Sequence, residues 1–265
     1  MGPFQGQKLM LEIEDVEFAY GGSVAVAGCT FSVEQGQVTG LIGPNGAGKS
    51  TLLEIIAGGL IPSRGKLVFD GVEIQGVGRA KVAQLGIIRT FQTTRELSRL
   101  PVLENVVFAA PNQTGENVLA SLFRRRSWAA QEAQLRVRAE ELLEWVGLTR
   151  LREEPAGSLS GGQRRLLEIA RALMAEPKLL LLDEPSAGVF PAVRQLIARR
   201  IREIVAQGIT VLVVAHNMAF LAEVADDVVV MAEGRVLRRG PLEEVRADQA
   251  VVAAYLGGGH VGGTS

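Results

Sequence analysis

The fold of this chain is decided by one stretch of nine residues, Gly43-Pro44-Asn45-Gly46-Ala47-Gly48-Lys49-Ser50-Thr51. An apolar run, Val38 to Ile42, precedes it, and a helix-forming run, Leu52 to Ile56, follows it. Glycines let backbone N–H groups turn towards phosphate oxygens, and the following helix adds the positive end of its dipole. Lys49 can place its charge on the outer phosphates, and the Ser50 hydroxyl can join a Mg²⁺ shell. The sequence therefore predicts a phosphate-binding loop rather than a plain glycine-rich turn before a helix.

Composition and charge limit the classes of protein to which the chain can belong. Its 265 residues are 47% hydrophobic, which is enough to bury the core of one domain with lobes. The formal net charge of −1 gives no basic excess for a nucleic-acid backbone. Cys29 is the single cysteine, so an internal disulfide is excluded, and we expect a small buried residue in a strand.

The apolar stretches are too short to cross a bilayer, which needs ~20 apolar residues. Met1 to Lys8 lacks the charged and apolar regions of a signal peptide. We therefore expect a chain that is soluble when isolated and lies in the cytoplasm. If it serves a membrane process, separate chains must supply the membrane spans.

Two carboxylates follow the apolar run Leu179 to Leu182, at the carboxyl end of a predicted buried strand. Ligands sit at that edge of open α/β sheets. Asp183 is suited to hold Mg²⁺ through water, and Glu184 to orient and polarise an attacking water. The alternative is an acidic helix cap after a core strand, and the phosphate loop nearby favours the functional interpretation. Gln92 and His216 also stand at predicted strand ends, and their shared position favours a functional reading of both.

The remaining pattern is that of strands and helices in alternation. Leu11 to Phe18 alternates as a strand, and we expect Phe31 to Leu41, interrupted by Gln35-Gly36, to form a hairpin. The chain turns helical from about Pro101 to Ser158. Later helices are predicted over Gly162 to Met174 and Pro191 to Ala206. Because the apolar strands alternate with helices, they predict a mainly parallel sheet covered on both faces.

A second motif, Leu159-Ser160-Gly161-Gly162-Gln163, stands shortly before the strand that ends in Asp183-Glu184. With the phosphate loop, it resembles the ATP-binding subunits of ABC transporters. The resemblance covers nearly the whole chain and implies an α/β P-loop NTPase fold with an N-terminal antiparallel β lobe and a helical lobe. One nucleotide-binding domain is expected over 1–265, with the β lobe at about 8–36 and 64–75, the helical lobe at about 98–160 and a disordered glycine-rich tail at 257–265.

The resemblance also implies roles for single residues. Tyr20 matches the aromatic residue that stacks on adenine, Gln92 the glutamine that meets Mg²⁺, and His216 the switch histidine at the γ-phosphate. Residues 43–51 are expected to bind ATP, with Glu184, His216 and Gln92 catalytic and Ser50, Gln92 and Asp183 around Mg²⁺. The motif at 159–163 is expected to close over ATP held by a second subunit, so two ATP molecules would lie between facing subunits.

Within the family, the likeness is greatest to the ATP-binding proteins of branched-chain amino acid importers. Four stretches carry it, namely Arg89 to Gln92, Gln163 to Arg171, Asp183 to Gly188 and Ala254 to Gly257. The likeness implies transmembrane permease partners, a second ABC ATPase subunit in a homo- or heterodimer, an external solute-binding protein, no nucleic acid, and a peripheral place on the cytoplasmic face of the membrane. ATPases for urea import and lipopolysaccharide export share similar features, so the solute stays open. DNA-repair and translation members carry insertions or a second cassette that this chain lacks.

Two residues depart from the family pattern. Phe190 stands where the family usually has Asp or Asn, and it cannot make their hydrogen bond across the dimer interface. Asn217 replaces the acidic residue common after the switch histidine. Hydrolysis is still expected, while Phe190 motivates the alternative of a regulatory subunit with weak hydrolysis. Arg124-Arg125-Arg126 is read either as a partner or lipid contact or, with more weight, as a solvated helix end.

Overall fold

A computed structural model of the chain describes residues 8–90, 97–111 and 125–257. The chain divides into two units. The sheet unit contains the chain up to Arg89, the segment Lys178–Ala187 and the chain from Arg194 onwards, and the helical unit contains Thr90–Pro177 and Gly188–Val193.

The sheet unit alternates strands and helices along the chain. Its elements are β1 (Leu9–Tyr20), β2 (Ser23–Glu34), β3 (Val38–Ile42), α1 (Lys49–Ile56), β4 (Arg64–Phe69), β5 (Val72–Glu73), α2 (Arg79–Leu85) and β6 (Ile87–Arg89). The helical unit follows with α3 (Val102–Val107), α4 (Arg125–Val146) and α5 (Gly161–Met174), and short 3₁₀ turns at Leu97–Arg99, Thr149–Leu151 and Ala156–Ser158. The chain then forms β7 (Leu179–Asp183), α6 (Pro191–Ala206), β8 (Thr210–Val214), α7 (Met218–Val224), β9 (Asp227–Ala232), β10 (Arg235–Gly240), α8 (Leu242–Ala247) and α9 (Gln249–Gly257).

Two sheets organise the sheet unit. The first is antiparallel in the order β2-β1-β4-β5. The second has the order β10-β9-β3-β8-β7-β6, parallel throughout except for the pairing of β10 with β9. Every residue of β3 and β8 is buried, as expected for strands covered on both faces. The predicted fold class, with its parallel sheet and antiparallel β lobe, is confirmed.

The hairpin expected over Phe31 to Leu41 is wrong. β2 pairs with β1 in the antiparallel sheet, while β3 pairs with β8 and β9 in the parallel one. Gln35-Gly36 is therefore a crossing between sheets, and the Gly36 N–H donates to the Thr210 hydroxyl at 3.0 Å. The physical reason is burial, because β3 is apolar at every position and can be accommodated only inside a sheet with both faces covered.

One hydrophobic core joins the two sheets and helix α1. It includes Leu11 and Phe69 from the antiparallel sheet, Leu181 from the parallel sheet and Leu52 from α1, each at most 1% exposed. Cys29 is fully buried in this core, as predicted, and burial raises the pKa of its thiol to about 12. Since α1 is anchored along its apolar side, the loop that precedes it is held between two fixed elements.

The helical unit has a core of its own, formed where α3, α4 and α5 pack together. Val102, Leu143 and Leu167 are fully buried there. Asn105 is also fully buried, and its amide donates to the carbonyl oxygens of Leu97 and Pro101 at 2.9 and 3.1 Å. The lobe boundaries given from the sequence stay predictions. Among the described residues, none of the helices has the length and apolar character needed to cross a membrane.

Candidate functional site

The glycine-rich loop runs from the end of β3 to the start of α1. Gly48 caps α1 in the left-handed conformation with φ 93°, and Gly43 and Gly46 have φ 151° and 81°. The Lys49 ammonium folds back over the loop and donates to the carbonyl oxygens of Gly43 and Pro44, both at 2.9 Å. Burial lowers the pKa of Lys49, and the carboxylates of Glu184 and Asp183 act in the opposite direction.

At two of these positions, Gly43 and Gly48, a side chain is excluded by close backbone contacts as well as by the positive φ. A Cβ on Gly48 would lie 2.2 Å from the carbonyl oxygen of Ala25, and one on Gly43 would lie 2.0 Å from that of Met231. Gly46 differs, because a Cβ there would meet nothing within 4 Å. The loop is thus fixed against β2 and β9 at both ends and open at Gly46.

These contacts predict different stabilities for two alanine variants. Gly46→Ala should cost about 1–2 kcal/mol through its positive φ alone. Gly48→Ala adds a backbone clash that no side-chain rotation relieves, and we expect it to cost more than ~3 kcal/mol. Denaturant unfolding of the nucleotide-free chains measures both. Equal losses in the two variants would contradict the close approach at Ala25.

A cavity of about 360 Å³ lies beside the loop. Its walls are residues 45–51 of the loop, Ala25, Asp183, Glu184 and Val214. The sequence-predicted loop and acidic pair are therefore brought to one site, at the carboxyl ends of β7 and β8. The loop supplies N–H groups and a lysine, and the opposite wall supplies two carboxylates, a combination suited to a polyphosphate with a divalent metal.

Glu184 and His216 form a pair at this cavity. His216 Nδ1 lies 2.8 Å from Glu184 Oε1, with the histidine two-thirds exposed. The Glu184 N–H donates to the Val214 carbonyl at 2.9 Å, and the residue has a positive φ of 51°. A non-glycine residue in this conformation is uncommon and is often found at functional sites. The backbone conformation thus orients the Glu184 carboxylate, and the His216 imidazole holds it in place.

Asp183 ends β7 and is held from the neighbouring strand. The Arg89 guanidinium at the end of β6 donates to Asp183 Oδ2 at 2.9 Å. Ser50 and Asp183 both line the cavity and supply oxygen ligands of the kind that Mg²⁺ prefers. Within the described ranges there is no group of three His, Cys, Asp or Glu side chains suited to a metal.

Several predicted site residues are not among the residues that line the cavity, including Gly43 and Pro44 at the start of the loop, Tyr20 and His216. Tyr20 lies at the β1–β2 turn, about half-exposed, with its ring 4.8 Å from that of Phe18. Gln92 and Arg124 lie outside the described residues. Arg125 and Arg126 begin α4, and their side chains also lie outside the described part.

The motif at 159–163 starts α5 in the helical unit. The Ser160 hydroxyl accepts from the Gln163 N–H at 3.3 Å, and Gln163 Oε1 accepts from the Ser160 N–H at 2.8 Å. This capping box leaves the N–H groups of the first turn at Gly161 and Gly162 directed outwards. A Cβ on Gly162 would lie 2.9 Å from the Val193 side chain, while one on Gly161 would meet nothing within 4 Å.

Three residues gain meaning only from the structure. Asn217 caps α7, with its Oδ1 accepting from the Phe220 N–H at 2.9 Å, a task that Asp also performs. Tyr255 of α9 has a buried hydroxyl, and burial raises its pKa. The negative charge of Glu184 also raises this pKa, while a hydrogen bond to the Gly43 backbone lowers it. Arg89 holds Asp183 as described above. The sequence analysis predicted no role for Arg89 or Tyr255, which appeared only in stretches that resemble the branched-chain amino acid importers.

The family described as "ABC transporter" matches residues 26–187, which include the loop, the motif at 159–163 and Asp183-Glu184. The chain belongs to the ABC transporter family. Its enzymatic activity is that of the family's ATP-binding cassette, the hydrolysis of ATP. A second family, described as "Branched-chain amino acid ATP-binding cassette transporter", matches residues 239–261 of this ABC ATPase.

Curated relatives match the ABC ATPase almost end to end. The high-affinity branched-chain amino acid transport ATP-binding protein BraF of Pseudomonas aeruginosa is 38% identical over 94% of this chain and 98% of its own length. A probable branched-chain amino acid transport ATP-binding protein LivG of Methanocaldococcus jannaschii is also 38% identical, over 94% and 97%. LivG of Escherichia coli is 30% identical over 94% and 98%.

Solved structures agree with this assignment. A nucleotide-free ATP-binding cassette from an ABC transporter superposes with a TM-score of 0.83 at 36% identity, covering 97% of this chain and all of that one. A cassette in its ADP conformation gives 0.82 at 36% identity, over 94% and 99%. A dimeric cassette bound to ADP and Pi gives 0.72 at 26% identity, over 88% and 99%.

Proposed function

We propose that this ABC ATPase is the ATP-hydrolysing motor subunit of an importer for branched-chain or other amino acids. The observation that carries the proposal is the end-to-end match to relatives with that name, joined to the separate match of residues 239–261. The second match lies beyond the nucleotide-binding motifs, in β10, α8 and α9. It therefore supports the amino acid importers in particular, ahead of urea import or lipopolysaccharide export.

In the proposed reaction, Glu184 accepts a hydrogen bond from the water that attacks the γ-phosphate. His216, 2.8 Å from Glu184, keeps this carboxylate in place and is proposed to contact the γ-phosphate, while ADP is the leaving group. Lys49 moves from the carbonyl oxygens of Gly43 and Pro44 to the β- and γ-phosphates, which offer the same donors a stronger, charged partner. Tyr20, an exposed aromatic, serves as the platform for adenine.

Mg²⁺ would supply electrostatic stabilisation of the transferred phosphoryl group. Ser50 and Asp183 are the described residues that would hold it, and both line the cavity. Gln92 is proposed to join them from the segment outside the described residues.

A second ATPase subunit is proposed to complete each site. The loop of one subunit and the motif at 159–163 of the other would bind one ATP between them. The helix start at Ser160 supports this, because its first-turn N–H groups point outwards and suit an anion. Phe190 is 82% exposed, so its ring is available to a facing subunit. A homodimer and a heterodimer are both compatible with this arrangement.

The membrane partner is proposed to dock on the helical unit. α3 and α4 border a groove of about 230 Å³ lined by Leu100, Val107, Phe108 and Leu135, with Glu104, Gln131 and Glu132 at its polar positions. Phe108 is 64% exposed and lines this groove together with three other apolar side chains, so its ring adds to a continuous apolar surface. Docking of a permease there would place the chain on the cytoplasmic face of the membrane, opposite a solute-binding protein, with no role for nucleic acid.

Co-purification from membranes tests this proposal. A tagged wild-type chain should bring down transmembrane permease subunits, and Phe108→Asp should reduce that recovery about ten-fold, because a charge cannot enter an apolar pocket cheaply. Val137→Asp is the matched control, since Val137 is 57% exposed in the same unit and does not line the groove. Recovery only with ribosomes or DNA would contradict the transporter proposal.

A regulatory subunit with weak hydrolysis is the second candidate, and the exposed Phe190 favours it. The ATPase rate of the purified chain, alone and with its permease, separates the two candidates. A rate that rises with the permease supports the motor, and a rate near background in both states supports the regulator.

A further inference from the structure

A chain of charged side chains links helix α1 to the metal side of the site. Arg79 and Arg89 both bind Glu54 of α1, and Arg89 also binds Asp183 Oδ2 at 2.9 Å. One guanidinium, that of Arg89, thus binds a carboxylate of α1 and a carboxylate of β7. None of the sequence motifs for phosphate binding or hydrolysis includes it.

Burial distinguishes the two arginines. The Arg89 side chain is 11% exposed, and its two carboxylate partners are 21% and 25% exposed. The Arg79 side chain is 59% exposed. Charges removed from water interact more strongly and are costly to leave unpaired, so Arg89 matters to its partners far more than Arg79 does.

The geometry also leaves part of Asp183 available. The bond from Arg89 uses Oδ2, and among the described residues Oδ1 has no hydrogen-bond partner. The two terminal nitrogens of the guanidinium fork bind different carboxylates, Nη1 that of Glu54 and Nη2 that of Asp183, so the planar group holds the two carboxylates at a fixed spacing. Asp183 is thereby held through one of its two oxygens, and the residue lines the cavity.

We propose that Arg89 is a positioning residue for metal-dependent hydrolysis, one that orients Asp183 and offsets its charge before the metal binds. The inference rests on the proposed role of Asp183 beside Mg²⁺. Arg89 has two opposed effects in this account. It aims the carboxylate, which speeds hydrolysis, and its positive charge repels the incoming cation, which weakens metal binding.

Replacing Arg89 should therefore move the two properties in opposite directions. Arg89→Met should bind metal ~3- to 10-fold more tightly, because one positive charge near the cation is lost. The same variant should hydrolyse ATP at least about 10-fold more slowly, because Asp183 is no longer aimed. A merely structural role would predict weaker metal binding together with slower hydrolysis.

The metal readout does not depend on turnover. Mn²⁺ is titrated by electron paramagnetic resonance into the chain with a non-hydrolysable ATP analogue, and the Mg²⁺-dependent ATPase rate is measured separately. Arg89→Lys keeps the charge and loses the fork, so its metal affinity should stay within about two-fold of wild type while its hydrolysis slows. Arg79→Met, which also loses a bond to Glu54, should stay within about two-fold in both assays.

Tighter Mn²⁺ binding with slower hydrolysis in Arg89→Met supports the proposal. Unchanged or weaker Mn²⁺ binding in a folded Arg89→Met, or hydrolysis equal to wild type, overturns it. If Arg89→Met does not fold, Arg89→Lys decides, since unaltered hydrolysis in that variant overturns the positioning role. Failure of the proposed function has a different signature, namely a wild-type chain that does not hydrolyse ATP with Mg²⁺.

Discussion

Glu184→Gln is expected to lower the rate of ATP hydrolysis by ~1,000-fold, within the range of general-base contributions. The amide keeps the size of the carboxylate and cannot accept a proton from the attacking water. ATP affinity should change little, because the phosphate contacts are proposed to come from Lys49 and the loop N–H groups. Single-turnover hydrolysis and equilibrium binding of a fluorescent ATP analogue measure the two effects separately.

Glu233→Gln provides the matched control for that experiment. Glu233 shares the left-handed backbone of Glu184, with φ 50° against 51°, and does not line the cavity. Its variant should hydrolyse ATP like wild type. Because ATP is proposed to bind between two facing subunits, and Glu184→Gln leaves it unhydrolysed, this variant should also elute as a dimer with ATP. Undiminished hydrolysis in Glu184→Gln would remove this residue from its role.

Lys49→Ala is expected to weaken ATP binding about 100-fold, since charge-assisted hydrogen bonds contribute ~1.5–3 kcal/mol each. The loss removes the positive charge from the phosphates and leaves the carbonyl oxygens of Gly43 and Pro44 without their lysine donor. Isothermal titration with ATP and Mg²⁺ measures the change.

Lys178→Ala is the control for the loss of a lysine. Lys178 is half-exposed and pairs with Asp70 at 3.1 Å, in the same sheet unit as the loop. Its variant should bind ATP with wild-type affinity. ATP binding that is equally strong in Lys49→Ala and in Lys178→Ala would show that Lys49 does not contact the phosphates.

Much of the parallel sheet was accessible from the sequence because its strands are uniformly apolar. Leu179 to Leu182 and Ile209 to Ala215 can be buried only between two covered faces, and β7 and β8 occupy them almost residue for residue. The glycine-rich loop was equally clear, because its glycines have a local backbone reason. The helix predicted from Gly162 begins one residue earlier, at Gly161, and the helix predicted from Pro191 begins at that residue.

The pairing partners of the strands were harder to predict, because they depend on segments that are distant in the sequence. The sequence from Phe31 to Leu41 has the alternation and central turn of a hairpin, yet β3 pairs with β8 and β9 instead of with β2. Nothing local distinguishes a strand that turns back on its neighbour from one that crosses into another sheet.

The site shows the same division between local and non-local information. Asp183 and Glu184 follow from their place after a buried strand. The contact of Glu184 with His216 and the grip of Arg89 on Asp183 join residues far apart in sequence, so only the fold reveals them. Asn217 is a similar case, since its capping bond explains a departure from the family pattern that the sequence alone left open.

This ABC ATPase is proposed to couple ATP hydrolysis to the import of an amino acid. The most direct measurement uses vesicles that contain the chain with its permease and solute-binding protein, and follows ATP hydrolysis and leucine uptake together. With the wild-type chain, leucine should stimulate hydrolysis and accumulate inside, and with Glu184→Gln both should cease. A hydrolysis rate that no branched-chain amino acid stimulates, or leucine uptake that continues with Glu184→Gln, would contradict this proposed coupling.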